Sequence, residues 1–270
     1  RNVQLVQKRK KYLVQLPKLV LGGEEKTMNG EQLLNAFAVL GVQPGMSLEV
    51  HTSFRRFGFV EGGPDTLIGA LEKAVGTEGS IATPSFRLSH PVPFTQTDRS
   101  LGVTCKLRIL PPDAPVSGMG IVADRFRKMP DVVTGEGIFR VSVWGKYAAK
   151  APEGFGWFVQ NGGWGLLLGV DIYRLSAMHS VEYLLPEAVQ AVFRPSPEVQ
   201  KLYPPSEWLV ETGLPPVQAW YTIQRMAMER GFIRTGTIGS CPYMFFRLSD
   251  VVGLYEQKLR ENACALYGIE

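Results

Sequence analysis

The chain has 270 residues, 45% of them hydrophobic, 10% aromatic and 20% charged, the make-up of a packed globule and not of a disordered or fibrous chain. The 29 Lys and Arg against 25 Asp and Glu leave a net charge of +4. Apart from a solvated N-terminal cluster at Lys8–Tyr12 the basic residues are scattered, and with no RNP, zinc-finger or helix-turn-helix signature a nucleic-acid partner is not expected.

Three cysteines, Cys105, Cys241 and Cys264, are widely spaced and form neither a CxxC pair nor a metal-ligand spacing. They read as reduced thiols of a cytoplasmic protein, with no structural metal. No apolar run approaches the roughly 18–20 residues of a membrane span and no signal peptide is visible, so no membrane partner is expected.

The first clear element is "MNGEQLLNAFAVLGV", where Leu33, Leu34, Phe37 and Leu40 fall at helical spacing and Gly41 suits a left-handed cap. "GMSLEVHTSF" then alternates as a short strand ending near Thr52. In "GGPDTLIGALEKAVG", Pro64 and Asp65 are helix-start residues, and Leu67, Ile68, Leu71 and Val75 form the buried stripe. With "GSIATP" as the next strand, residues 48–84 make a βαβ unit, which implies parallel pairing.

From Ser85 to about Val116 the chain is rich in Pro, Thr and Ser without periodicity, and reads as a long surface excursion. "GMGIVADRFRKMP" is a short helix stopped by Pro130, and "WGLLLGV" a strand buried on both faces. After a Pro-rich stretch over 193–216, which reads as a lid or an interface, "PPVQAWYTIQRMAMERG" and "RLSDVVGLYEQKLREN" form two closing helices, the second capped by Ser249. The fold class expected is α/β, with a mixed, largely parallel central sheet and flanking helices.

Three loops can carry chemistry. "HTSFRRFGFVEGG" joins a strand to a helix start, where free backbone N–H groups favour anions. Thr52 and Ser53 add hydroxyls and Arg55 and Arg56 add charge, but neither P-loop nor GxGxxG spacing is present. "DAPVSGMG" exposes backbone donors before the next helix. In "GVDIYRLSAMHSVEYLL", a helix opening at Ser176 or Ala177 puts His179 and Glu182 at i and i+3, within reach of each other. Such a pair is either a satisfied core histidine or a proton-transfer couple. The absence of GxSxG and HExxH argues against a serine hydrolase and a zinc enzyme.

Taken in order, these segments resemble the aminoglycoside 3-N-acetyltransferase family. "LEVHTSFRRFGFVEGGPDTLIGALEKAVGTEGSIATPSF" is similar to its opening strand, loop, helix and strand; "GMGIVADRFRKMPDVV" is similar to its next helix and exit. "GLLLGVDIYRLSAMHSVEYL" and "GFIRTGTIGSCPYMFFRLSDVVGLYEQKL" resemble its histidine segment and C-terminal segment. The resemblance implies a single domain with a core over 29–259 and an N-terminal extension over 1–28, on a fold distinct from GNAT acetyltransferases. It implies acetyl-CoA as co-substrate and a small-molecule amine as partner, with a homodimer left open. Thr52, Ser53, Phe54 and Arg56 would line the cofactor channel, with Pro115, Ser117 and Gly118 along the pantetheine arm. His179 would act as the base at the acceptor amine and Glu182 would support it, in a ternary complex without an acetyl-enzyme.

One family motif is missing. Where members usually carry a His-Pro pair after the short helix, this chain has "VVTGEGIFRVSVWG", which puts Glu136 and Gly137 at those positions. Glu136, Asp171 and Ser176 are then the expected acceptor-side residues, and Glu207 and Glu211 further candidates for an acidic cleft. The departure keeps two alternatives in view: a biosynthetic N-acyltransferase on an amino sugar or natural-product amine, and a member that binds CoA without turning it over.

Overall fold

The computed structural model describes residues 27–213 and 217–269. The expected N-terminal extension therefore lies almost wholly outside the described residues, while Met28 is already buried against Val60. Helix α1 (Gly30–Leu40) is fixed by a reciprocal cap in which the Asn29 side chain accepts from Gln32 N–H and Gln32 Oε1 accepts from Asn29 N–H, an arrangement worth about 1 kcal/mol. Leu33, Phe37 and Leu40 turn inward, and Gly41, at φ 107°, closes the helix.

Strand β1 (Ser47–Thr52), helix α2 (Gly63–Val75) and strand β2 (Ser80–Pro84) form the expected βαβ unit, with β1 and β2 parallel. The later elements of the main sheet are β4 (Val133–Thr134), β5 (Val141–Gly145), β6 (Trp164–Leu168), β8 (Arg234–Ile238) and β9 (Cys241–Arg247). The spatial order is β4-β5-β2-β1-β6-β9-β8. The sheet is mixed: parallel pairing joins the three central strands, β2, β1 and β6, and antiparallel strands flank them on both sides.

Apolar cores cover both faces. Helices α1, α2 and α4 (Ile121–Phe126) pack on one face through Phe37, Leu67, Leu71 and Phe126. The other carries α5 (Gly154–Gln160), α8 (Val217–Glu229), α9 (Leu248–Tyr267) and the 3-10 turn Ser176–Leu184, packed through Phe158, Ile223, Val251 and Met178. Ser249 is not a cap: α9 begins one residue before it, with Arg247 at the cap position and no side-chain capping bond. The three cysteines are unpaired, and burial pushes the Cys105 and Cys241 thiols up to about 12, which keeps them protonated.

The stretch after Ser85 is not a bare excursion. It contains α3 (Gln96–Ser100) and β3 (Val103–Arg108), and β3 pairs antiparallel with β7 (Trp208–Thr212) in a separate two-stranded sheet. Helices α6 (Glu187–Phe193) and α7 (Pro197–Leu202) precede β7 in sequence. This small lobe is built round a buried ion pair, Lys106 Nζ to Asp98 Oδ2 at 2.5 Å, with Tyr203 Oη donating to Asp98 Oδ1 at 2.6 Å and Thr95 N–H to Oδ2 at 2.7 Å. Burial alone would push the Asp98 carboxyl up, but these bonds prevail and hold it well below the usual carboxylate range. The stabilisation is thus complete above about pH 4 and is lost as pH falls through that value towards the folded-state pKa. Asp98→Asn, which leaves Lys106 buried without a counter-charge, is expected to cost about 3 kcal/mol in urea unfolding at neutral pH; the difference from the parent should shrink below about pH 4.

Candidate functional site

The carboxyl ends of β1 and β6 clasp each other. Ser53 N–H donates to Leu168 O at 2.7 Å, and Gly169, at φ 71°, sits so close to Arg56 that a Cβ would lie 2.6 Å from its side chain. The loop after β1 winds as a 3-10 turn over Phe54–Phe57, and Phe54 packs beside Phe57 with ring centroids 6.2 Å apart. Thr52 and Ser53 are half-buried, and their hydroxyls make no hydrogen bond among the described residues. Arg56 is exposed and has no carboxylate partner among them. The site thus offers two free hydroxyls and a free guanidinium, a donor set that suits a phosphate-bearing thioester.

The second loop is arranged differently from the expectation. Ser117 N–H and Oγ both donate to the buried Asp124, each at 2.8 Å, so its donors serve the turn into α4. Gly118 lies against the 88–90 segment, donating to Leu88 O at 2.7 Å, and a Cβ there would stand 2.4 Å from Ser89 O. Pro115 is exposed, with its carbonyl accepting from Lys128 Nζ at 2.7 Å.

The third loop brings the central pair together. Residues 176–184 wind as a 3-10 helix, in which i and i+3 eclipse. His179 Nδ1 and Glu182 Oε2 are 2.6 Å apart, the histidine 55% exposed and the glutamate 23%. An ionised carboxylate only accepts, so Nδ1 carries the proton and Nε2 presents its lone pair. The indole of Trp220, from α8, stands edge-on to the imidazole with centroids 5.0 Å apart. Loss of hydration pulls the His179 pKa down, but the Glu182 bond and the negative fields of Glu182, Glu211 and Glu49 outweigh it, and the net position is above the ordinary histidine value. Glu211, carried on β7 of the small lobe, is itself pushed up by burial and by Glu182, with His179 pulling the other way.

Of the other acceptor-side residues, Asp171 is already engaged: Oδ1 accepts from Tyr173 N–H at 3.1 Å and Oδ2 from Tyr221 Oη of α8 at 2.7 Å. Ser176 is buried at the start of the 3-10 turn. Glu136 is exposed on the bend before β5 and makes no ion pair among the described residues; the groups whose charge acts on His179 are Glu182, Glu211 and Glu49. Two residues escaped the sequence reading, Glu49 and His51 of β1, whose side chains meet at 2.7 Å beneath the turn. Their signal was a carboxylate set between Leu48 and Val50, two positions before a histidine.

A model of the aminoglycoside 3-N-acetyltransferase family matches residues 50–260. Aminoglycoside N(3)-acetyltransferase IV of a Salmonella species is 37% identical over 102 residues, which take in 37% of this chain and only 32% of that protein. The SPbeta prophage-derived aminoglycoside N(3')-acetyltransferase-like protein YokD of Bacillus subtilis (strain 168) is 27% identical over 253 residues, covering 83% of this chain and 89% of that one. The structure of AAC-IIIb as a binary complex with CoASH shares the fold, with a TM-score of 0.61 at 19% identity over 87% of this chain and 97% of the other. The family match runs unbroken from β1, through the His179 turn, into α9, and the chain belongs to the aminoglycoside 3-N-acetyltransferase family.

Proposed function

We propose that this acetyltransferase moves an acetyl group from acetyl-CoA to an amine of an aminoglycoside or a related small cationic molecule, with His179 as general base. The observation that carries the reading is the 2.6 Å bond from His179 Nδ1 to Glu182, which leaves Nε2 free, with the charge of Glu211 acting on the same ring. The net charge of the whole chain is positive, yet the groups acting on this imidazole are three carboxylates. A cationic acceptor fits that field. The relatives' names and the CoASH complex of AAC-IIIb support the same donor and acceptor classes.

Acetyl-CoA supplies an already activated thioester, so no nucleophilic side chain need be acylated. Glu182 holds the imidazole in the tautomer that can accept a proton and stabilises the imidazolium that follows. As the amine nitrogen bonds to the carbonyl carbon, its proton passes to Nε2, and that proton then leaves with the thiol when the C–S bond breaks. Thr52 and Ser53 supply the donors for the oxyanion, Phe54 an apolar wall and Arg56 a counter-charge for phosphate. Pro115, Ser117 and Gly118 shape the channel through their backbone. Asp171 and Ser176 set the turn that positions His179.

In a thiol-release assay with acetyl-CoA and a panel of aminoglycosides, amino sugars and amino-acid amines, the chain should turn over aminoglycosides. His179→Ala should lower that rate about 10²–10⁴-fold while CoA binding by calorimetry is retained. Turnover confined to other amines would assign a biosynthetic acyltransferase, and CoA binding without any thiol release would overturn the catalytic reading. Because the pKa of His179 is raised, kcat/KM should climb with pH through a midpoint above the ordinary histidine value as the base form accumulates. Glu182→Gln should move that midpoint to lower pH and reduce kcat, which a pH–rate profile measures.

A further inference from the structure

The central strand of the sheet breaks its own rule. A strand paired on both sides and covered on both faces is expected to be apolar throughout. Strand β1 is paired with β2 and β6 and buried from Ser47 to His51, yet it carries Glu49, fully buried, and His51, 6% exposed, on one face. The register sets Glu49 between Ala82 of β2 and Gly165 of β6, and His51 beside Leu167. The flanking side chains are small where the carboxylate lies.

What lies above this pair is the start of the 3-10 turn. Ala177 N–H donates to Glu49 Oε1 at 3.1 Å, and Ser176 N–H points to His51 Nε2 at 3.4 Å. Glu49 Oε1 and His51 Nε2 are themselves 2.7 Å apart, and an Nε2 that donates to a carboxylate has no lone pair left for Ser176 N–H. The first N–H groups of any helix lack intrahelical partners, and Leu175, at the cap position, provides no side-chain bond. The cap is instead supplied from the sheet. Glu49 Oε2 is buried with no donor among the described residues. A buried carboxylate with one oxygen unsatisfied is a costly way to fill a core that an apolar side chain would fill more cheaply. Such local conflicts are typical of functional positions.

We infer that Glu49 is a positioning residue for His179: its Oε1 holds the Ala177 N–H at the start of the turn and places a buried negative charge beneath it, while His51 steadies the carboxylate. The inference rests on the reading of His179 as the base. Only Met178 separates Ala177 from His179, so a turn pinned at Ala177 fixes where the imidazole stands. The other groups facing it are Glu182 on its own turn, Glu211 on β7 and the neutral Trp220 on α8. On α9, the phenols of Tyr255 and Tyr267, which share a hydrogen bond at 2.5 Å, are pushed up by burial and stay uncharged.

The test compares Glu49→Gln and Glu49→Leu in the full chain, reading the His179 imidazole titration by NMR alongside the pH profile of thiol release and the thermal midpoint. Glu49→Gln keeps an acceptor for Ala177 N–H and removes the charge. It should fold as the parent does, titrate His179 at lower pH and shift the activity midpoint in the same direction. Glu49→Leu loses both anchor and charge and should lower kcat about ten- to a hundredfold without a matching fall in the thermal midpoint. An unchanged His179 titration in Glu49→Gln overturns the inference, as does a kcat loss in Glu49→Leu that only follows the unfolded fraction. If His179→Ala keeps full turnover, it is the base assignment that fails. The NMR titration still decides whether Glu49 acts on His179, and if Glu49→Leu does not fold, Glu49→Gln alone decides.

Discussion

The site depends on how one nine-residue segment is wound. Over Ser176–Leu184 the chain takes three residues per turn instead of 3.6, so side chains at i and i+3 stand directly above one another. That eclipsing closes the gap between His179 and Glu182 to 2.6 Å. A 3-10 helix of this length is unusual because its hydrogen bonds are poorer and its side chains crowded. Here it is held from outside: Ala177, Met178 and Val181 are buried in the core beneath α8 and α9, and Glu49 receives the N–H of Ala177. Tertiary packing, not local propensity, maintains the winding.

The electrostatics of the site run against those of the chain. A protein with a net charge of +4 gathers Glu182, Glu211 and Glu49 round a single imidazole, and they come from three parts of the fold. Glu182 lies on the turn, Glu49 on the central strand and Glu211 on β7 of the small lobe. The lobe's own buried pair, Lys106 with Asp98, fixes the β3–β7 ribbon that carries Glu211. A structural ion pair in one layer thereby helps place a charge in the next. Low exposure makes each of these charges act more strongly than it would in water, which is why the imidazole keeps its affinity for a proton despite losing hydration.

Local chemistry is legible in sequence and long-range pairing is not. Gly41, Pro64 and Asp65 mark helix ends because capping is a matter of a few neighbouring residues. The alternation in "SLEVHT" marks a strand but does not say what covers it. Alternation is usual in a half-solvated strand, whereas here the turn over 176–184, more than 120 residues later in the chain, covers Glu49 and His51. The pairing of β3 with β7 was invisible for the same reason: the two strands are short, partly polar and about a hundred residues apart, so neither shows a periodicity that the other could complete.

By itself the sequence determined the βαβ start, the two closing helices, the doubly buried strand at Trp164–Leu168 and the spacing that lets a histidine meet a glutamate. It also carried the family's motifs in order, because these are patterns within short windows. Tertiary structure alone decided that the parallel pairing is confined to three central strands, that Asp171 is engaged by Tyr221 of α8 and that Ser117 spends its polar groups on the turn into α4. It also left Glu136 outside the charge cluster and brought Glu49 and Glu211 into it. The physical reason is common to all of these. A side chain's partner is set by which distant backbone covers it, and burial, not residue type, decides whether a carboxylate is a surface charge or part of a site.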